Sequence, residues 1–230
     1  DFTSISQTRS AILARSSSRK SSAQAQYAER FSESAHKYIS SSFEQAEQLT
    51  SEDHRYKVVL NLLILIDGLE DMRLADLAMA FLKDKNTVIR YWVVHSVTSP
   101  NFTKKLNSSK TANLQLARRI VAQLKTLVES AEGRNTKVLA MVAEFAAEVD
   151  ILQSEELLGQ IADMRIKTYA NWSVNNELLD STILKPLYNK ITSGAANRSA
   201  VARRFGQLYS YAIQRYVKGR IYLNPKQMEK

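Results

Sequence analysis

Glu33 and His36 stand at the Glu-x-x-His spacing that places two metal ligands on one face of a helix. A carboxylate-bridged di-iron site built this way also needs a second Glu-x-x-His and further glutamates from partner helices. The sequence holds no second copy, so the spacing is read as coincidence. Glu144 and Glu148 lie one helical turn apart, as paired carboxylates do when they divide acid and base roles between differing environments. Their neighbours argue against that role. Val138, Met141, Val142, Phe145 and Val149 form the apolar face of the same segment, which turns the two acids towards solvent. The histidines, His36, His54 and His95, fall on three different expected helices. There is no Gly-x-Ser-x-Gly, no His-Glu-x-x-His, no glycine-rich phosphate loop and no Asp-rich calcium loop. With no cysteine, disulfides, thiolate metal sites and a thiol nucleophile are excluded. The expectation is a protein without cofactor, metal ligand or assigned catalytic residue. Asn101, Asn107, Asn171 and Asn197 open Asn-x-Ser/Thr sequons, which matter only on a eukaryotic secretory route.

The candidate surface with most chemical content lies near the C-terminal end. Seven basic residues and one acidic residue occupy the last thirty positions, so +6 of the net +9 sits there. At about 100° per residue, Val201, Phe205, Leu208, Ala212 and Tyr216 cluster within an arc of about 80°. Arg203, Arg204, Arg215 and Lys218 fall in a neighbouring arc of about 120°. A buried stripe beside a basic face is the expected arrangement. Tyr209, Tyr211 and Tyr222 lie close in sequence, and aromatics among cations can stack bases or pack against a partner. Arg118, Arg119 and Lys125 would extend the surface if the fold brought them near.

The elements that must position these residues read as helices. Only 6 Gly and 3 Pro occur among 230 residues, too few for the turns of a sheet protein. No segment alternates cleanly between polar and apolar positions. Residues 1–23 are Ser-rich and basic and read as an arm or a first helix, with a single helical-repeat domain over 24–230. From 24 to 49, Tyr27, Phe31, Ala35, Tyr38, Ser42 and Ala46 recur at helical spacing and read as a core seam, with Phe43 and Leu49 alongside. Further helices are expected at about 54–67, 70–82, 87–98, 111–132, 136–149, 154–171, 176–192 and 197–220. Gly68, the Ser99-Pro100-Asn101 turn, Gly133 and Gly194 punctuate them, with Thr136, Ser154 and Asn197 at helix starts and Pro186 as a kink. The apolar run at 58–66 is too short for a membrane span of roughly 20 residues and reads as a buried helix. Eight or nine antiparallel helices with short loops make a helical bundle or a short α-solenoid of stacked hairpins.

Residues 69–98, LEDMRLADLAMAFLKDKNTVIRYWVVHSVT, resemble a HEAT repeat. Leu74, Leu77, Phe81 and Leu82 mark the first helix, Ile89 and Arg90 follow Asp84 at the family's spacing, and Val93 and Val97 mark the second helix. The resemblance implies that Asp84 and Arg90 stitch the turn within the repeat to its neighbour. It also implies an extended surface for another macromolecule.

These readings lead to a soluble, all-α, non-enzymatic helical-repeat module for protein–protein interaction or scaffolding, with a protein partner or self-association. The alternative is a nucleic-acid or phosphate binder acting through Arg203, Arg204, Arg215, Lys218 and Tyr211. The lack of cysteine, with Asp1 rather than Met at the start, points towards a processed, exported form.

Overall fold

The structure, a computed structural model, describes residues 2–16, 22–130, 135–170, 174 and 178–219. Every regular element among them is helical: eleven α-helices and one short 3-10 turn. The sequence led to eight or nine. The additional helices are α1, Phe2–Ser16, and α6, Pro100–Ser108. No helix among the described residues is long and apolar enough to cross a membrane. Gly133, Asn171 and Tyr222 lie outside the described residues. The chain divides into two compact units, Asp1–Glu132 and Gly133–Lys230.

In the first unit α3, Glu52–Leu69, is the hub, packing against α1, against α2 (Ser22–Glu47) and against α5 (Thr87–Thr98). It begins where the Ser51 hydroxyl accepts from His54 N–H at 3.3 Å, with Glu52 and Asp53 favourably placed in the first turn. Its buried side chains Val59, Leu63, Leu65 and Ile66 come from the apolar 58–66 run. Gly68 does not end this helix. It lies inside it, and an added Cβ would meet the Leu13 Cδ2 of α1 at 2.8 Å, so the missing side chain admits α1. Glu70 ends the helix instead, in the left-handed region at φ 50°.

The single helix expected over 70–82 is broken. Asp71 caps a 3-10 turn at Met72–Leu74, and α4 covers only Ala75–Met79. The chain then tightens into i→i+3 turns that leave both Phe81 and Leu82 buried. The Ser99-Pro100 pair also behaves differently from the expected turn. Ser99 accepts from Phe102 N–H at 3.4 Å and Pro100 takes the first helical position, where its fixed φ is preorganised. A helix therefore starts there and buries Phe102 and Leu106 before α7, Lys110–Glu129. The aromatic seam of α2 is core only in its second half. Ile39, Phe43 and Ala46 are buried, with Phe43 4.7 Å from Phe81 between ring centroids, whereas Tyr27, Tyr38 and Leu49 are exposed.

The second unit packs α8 (Thr136–Glu148) and α9 (Leu152–Ala170) against α10 (Leu178–Ser193) and α11 (Arg198–Gly219). Asn135, one residue before the expected Thr136, caps α8 by accepting from Lys137 N–H at 2.9 Å. Ser154 is not a cap. It is buried within α9, and its hydroxyl reaches the carbonyls of Val149 and Ile151, each at 2.6 Å. Pro186 is buried inside α10. Gly194, at φ 92°, turns the chain after it. Asn197 then caps α11 by accepting from Ala200 N–H at 3.2 Å.

Candidate functional site

The basic residues of α11 share one helix but face two environments. Arg203 and Lys218 are exposed. Arg204 turns to α9, where Nε and Nη2 donate to the two carboxylate oxygens of Asp163, each at 2.9 Å. That pairing raises the guanidinium's pKa still further, with Asp163 as the main cause. Gly159 makes room for it, since a Cβ there would lie 3.0 Å from Arg204 Cζ. Arg215 is half-buried and donates to the hydroxyl of Tyr169, a fully buried residue of α9. Tyr211 stacks on the Tyr169 ring, with centroids 5.5 Å apart and planes 7° from parallel.

Beneath them lies a buried ionic cluster that joins α9, α10 and α11. Arg165 donates to one oxygen of Asp180, and the Tyr169 hydroxyl donates to the other. Burial, and then the hydrogen bond to Asp180, push the Tyr169 phenol up to about 12. The Arg165 guanidinium also sits 5.5 Å from the Tyr169 ring centre. These charges are paired and hydrogen-bonded, as buried charges must be. Arg204, Arg215 and Tyr211 thus fasten α11 to α9, and the single basic face read from the helical wheel separates into a clasp and an exposed remainder.

What the wheel left unused is an apolar surface on the outer side of α11. Ala202, Gly206, Tyr209, Ile213 and Tyr216 recur at alternating intervals of four and three, the spacing of a heptad seam. All are exposed: Tyr209 by 51%, Ile213 by 44% and Tyr216 by 58%. Tyr216 therefore does not join the buried stripe of Val201 and Leu208. Tyr188 of α10, 55% exposed, extends the surface through Phe205, whose ring stacks on Tyr209 at 5.7 Å between centroids. The apolar residues of α11 occupy two adjacent arcs, more than one core-facing side uses. That excess was the available signal.

The electrostatics of this surface are one-sided. The only carboxylate on α10 or α11 is Asp180, which is buried under Arg165. Lys185, Arg198 and Arg203 are exposed and meet no carboxylate among the described residues.

In the first unit Asp84 and Arg90 meet in the turn between α4 and α5. Arg90 donates to the Asp84 carbonyl and, at 3.2 Å, to the Thr87 hydroxyl, while the Asp84 carboxylate accepts from Asn86 N–H at 2.8 Å. His95, one of the sequence candidates, contacts Asp67 of α3 at 2.7 Å beside the Trp92 ring. His36 and Glu33 remain on α2, and Glu144 and Glu148 are both exposed on α8. Arg118, Arg119 and Lys125 lie on α7, where Arg119 pairs with Asp76 at 2.8 Å. Among the described residues no group of three or more His, Asp or Glu is placed to hold a metal ion. The chain matches no family model, no curated protein and no solved structure.

Proposed function

We propose that the protein is a non-enzymatic helical module that binds a partner protein through the outer face of α10 and α11. The occupant is an amphipathic helix with acidic flanks. The observation that carries this reading is the surface of exposed Tyr188, Tyr209, Ile213 and Tyr216 joined by half-buried Phe205, bordered by cations and free of exposed carboxylates along α10 and α11. Contiguous exposed apolar patches mark interaction sites in soluble proteins. Heptad spacing suits a helical occupant. A second copy of α11 would set cations against cations, so charge favours a different, acidic partner over self-association.

The HEAT-like part of this reading has its support in the α4–α5 turn. Arg90 reaches back to Asp84, and the Asp84 carboxylate lies 3.9 Å from Arg55 on α3. These contacts support the turn-stitching role that the resemblance assigns to the two residues.

Nucleic acid is the second reading, favoured by Lys185, Arg198 and Arg203. It is weakened because Arg204 and Arg215 are engaged within the unit, and because Phe205 and Tyr209 offer ring faces to each other.

The test is fluorescence anisotropy with a designed helix of about three heptads, Leu at a and d, Glu at e and g. Its counterpart with Lys at e and g, and labelled oligonucleotides at about 50 and 200 mM salt, complete the set. Binding of the Glu peptide that falls by about tenfold or more in Tyr209→Ser with Ile213→Ser supports the proposal. Equal binding of the Lys peptide contradicts it, and salt-sensitive oligonucleotide binding alone moves the conclusion to nucleic acid.

A further inference from the structure

A second site of different chemistry lies within the first unit. A cavity of about 480 Å³ runs between α1, α2 and α3. Its walls are mainly apolar: Ile5 and Ile12 from α1, Phe31 and Ile39 from α2, Leu62 and Leu65 from α3. The lining extends from Phe31 to Ser42 on α2 and from Val58 to Leu69 on α3, so the space is about 16 Å long at the helical rise. This volume falls within the usual range of small-molecule pockets.

One cation opens onto it. Arg9 lines the cavity from α1, and its Nη1 donates to Asn61 Oδ1 at 2.8 Å. Asn61 is the one polar residue in the apolar 58–66 run, and its amide nitrogen donates to the Lys57 carbonyl at 2.8 Å. That bond holds the amide so that its oxygen faces Arg9. Among the described residues Arg9 meets no carboxylate. A half-buried guanidinium beside an apolar space, with donors remaining, is matched by an anion. Thr8, adjacent on the same lining, adds a hydroxyl.

We propose that this cavity binds a free long-chain carboxylate, with the acyl chain between α1, α2 and α3 and the head group on Arg9. A narrow apolar space with its charge at one residue suits a molecule that is polar at one end only. A peptide would bring backbone N–H and C=O groups along its whole length, and the walls offer few partners for them. The proposal is independent of the α10–α11 reading and is tested on different residues.

The experiment is calorimetric titration of the full chain with dodecanoate and octanoate, each below its micelle concentration, and with dodecanol below its solubility limit. Dodecanoate is expected to bind in the micromolar range. Each buried methylene strengthens binding by about three- to fourfold, so octanoate is weaker by about a hundredfold. Arg9→Met lowers dodecanoate affinity by about tenfold or more, towards that of dodecanol, and Arg9→Lys restores part of it. Ala35→Trp, which fills the space from α2, removes binding. Far-ultraviolet circular dichroism melts verify that each variant is folded, and Tyr209→Ser with Ile213→Ser binds dodecanoate as the parent does. Absence of dodecanoate binding to the parent chain overturns the proposal. So does equal affinity for octanoate and dodecanoate, or unchanged dodecanoate affinity in folded Arg9→Met.

Discussion

Arg204 and Asp163 face each other across α11 and α9 through two hydrogen bonds of 2.9 Å, guanidinium fork to carboxylate. Arg203, the preceding residue, points to solvent. One residue of rotation on the helix separates a fastening from a free charge, and the two arginines therefore answer differently to mutation.

Arg204→Ala is expected to lower the stability of the second unit by roughly 1 kcal/mol, the scale for a partly exposed, well-aligned ion pair. Arg203→Ala is expected to stay within about 0.5 kcal/mol of the parent. Urea unfolding followed by circular dichroism measures both, and equal losses would contradict the division.

Charge reversal separates binding from folding in the same way. Arg215→Glu sets a carboxylate beside Tyr169 and close to the Asp180 that Tyr169 bonds, and is expected to destabilise by about 3 kcal/mol. Arg203→Glu with Lys185→Glu leaves the melting temperature within a few degrees, as exposed substitutions do, and weakens the acidic-helix peptide by about tenfold. Differential scanning fluorimetry and anisotropy report the two effects separately.

Tyr169 links stability to alkaline pH. Its phenol is held at about 12 in the folded chain against 10.0 when free, because it is buried and hydrogen-bonded to Asp180. Below pH 10 both states keep the proton and the stabilisation is complete. As pH rises from 10 towards 12 only the unfolded chain releases it, so the stabilisation is lost, on the order of 2 kcal/mol in all. Tyr169→Phe costs about 1–3 kcal/mol at pH 7, because Asp180 loses a buried donor. The gap between parent and variant narrows above pH 10, measured by urea titration at several pH values. A gap that stays constant to pH 12 counts against the assignment.

Two helical glycines give opposite outcomes. A Cβ at Gly206 meets nothing within 4 Å, so Gly206→Ala stabilises by about 1 kcal/mol through helix propensity. At Gly159 the same atom lies 3.0 Å from Arg204 Cζ and Nη1, and Gly159→Ala gains less. Gly159→Leu displaces the guanidinium and destabilises. Thermal unfolding of the three variants orders them.

The sequence carried the helical class plainly, because scarce glycine and proline leave a chain few ways to turn. The sequence could also suggest a link between positions 84 and 90, because the bond from Arg90 to the Asp84 carbonyl spans only six residues. It did not carry Arg204–Asp163, since those residues are 41 apart and on different helices. Pro100 shows another limit, because the residue that stops one helix is equally suited to begin the next, and only the burial of Phe102 and Leu106 decides. The wheel for α11 named Phe205, Tyr216 and Arg203 but missed Ile213 and the α10 residues Tyr188 and Lys185, and it did not give the side each residue faces. An apolar residue such as Tyr216 carries no mark of whether its arc meets α9 or water.

Glu70 ties the end of one helix to the placement of another. Its carboxylate accepts from Asn101 at 2.8 Å and from Lys105 at 3.0 Å, and its carbonyl accepts from Lys105 at 3.0 Å, all from α6. These acceptors converge only once α3 has stopped and residue 70 has adopted its left-handed conformation. The seat of α6 is therefore made by the stop of α3, and a change at residue 70 reaches both helices. Glu70→Gly would ease the backbone and delete the carboxylate contacts, leaving α6 held by fewer bonds.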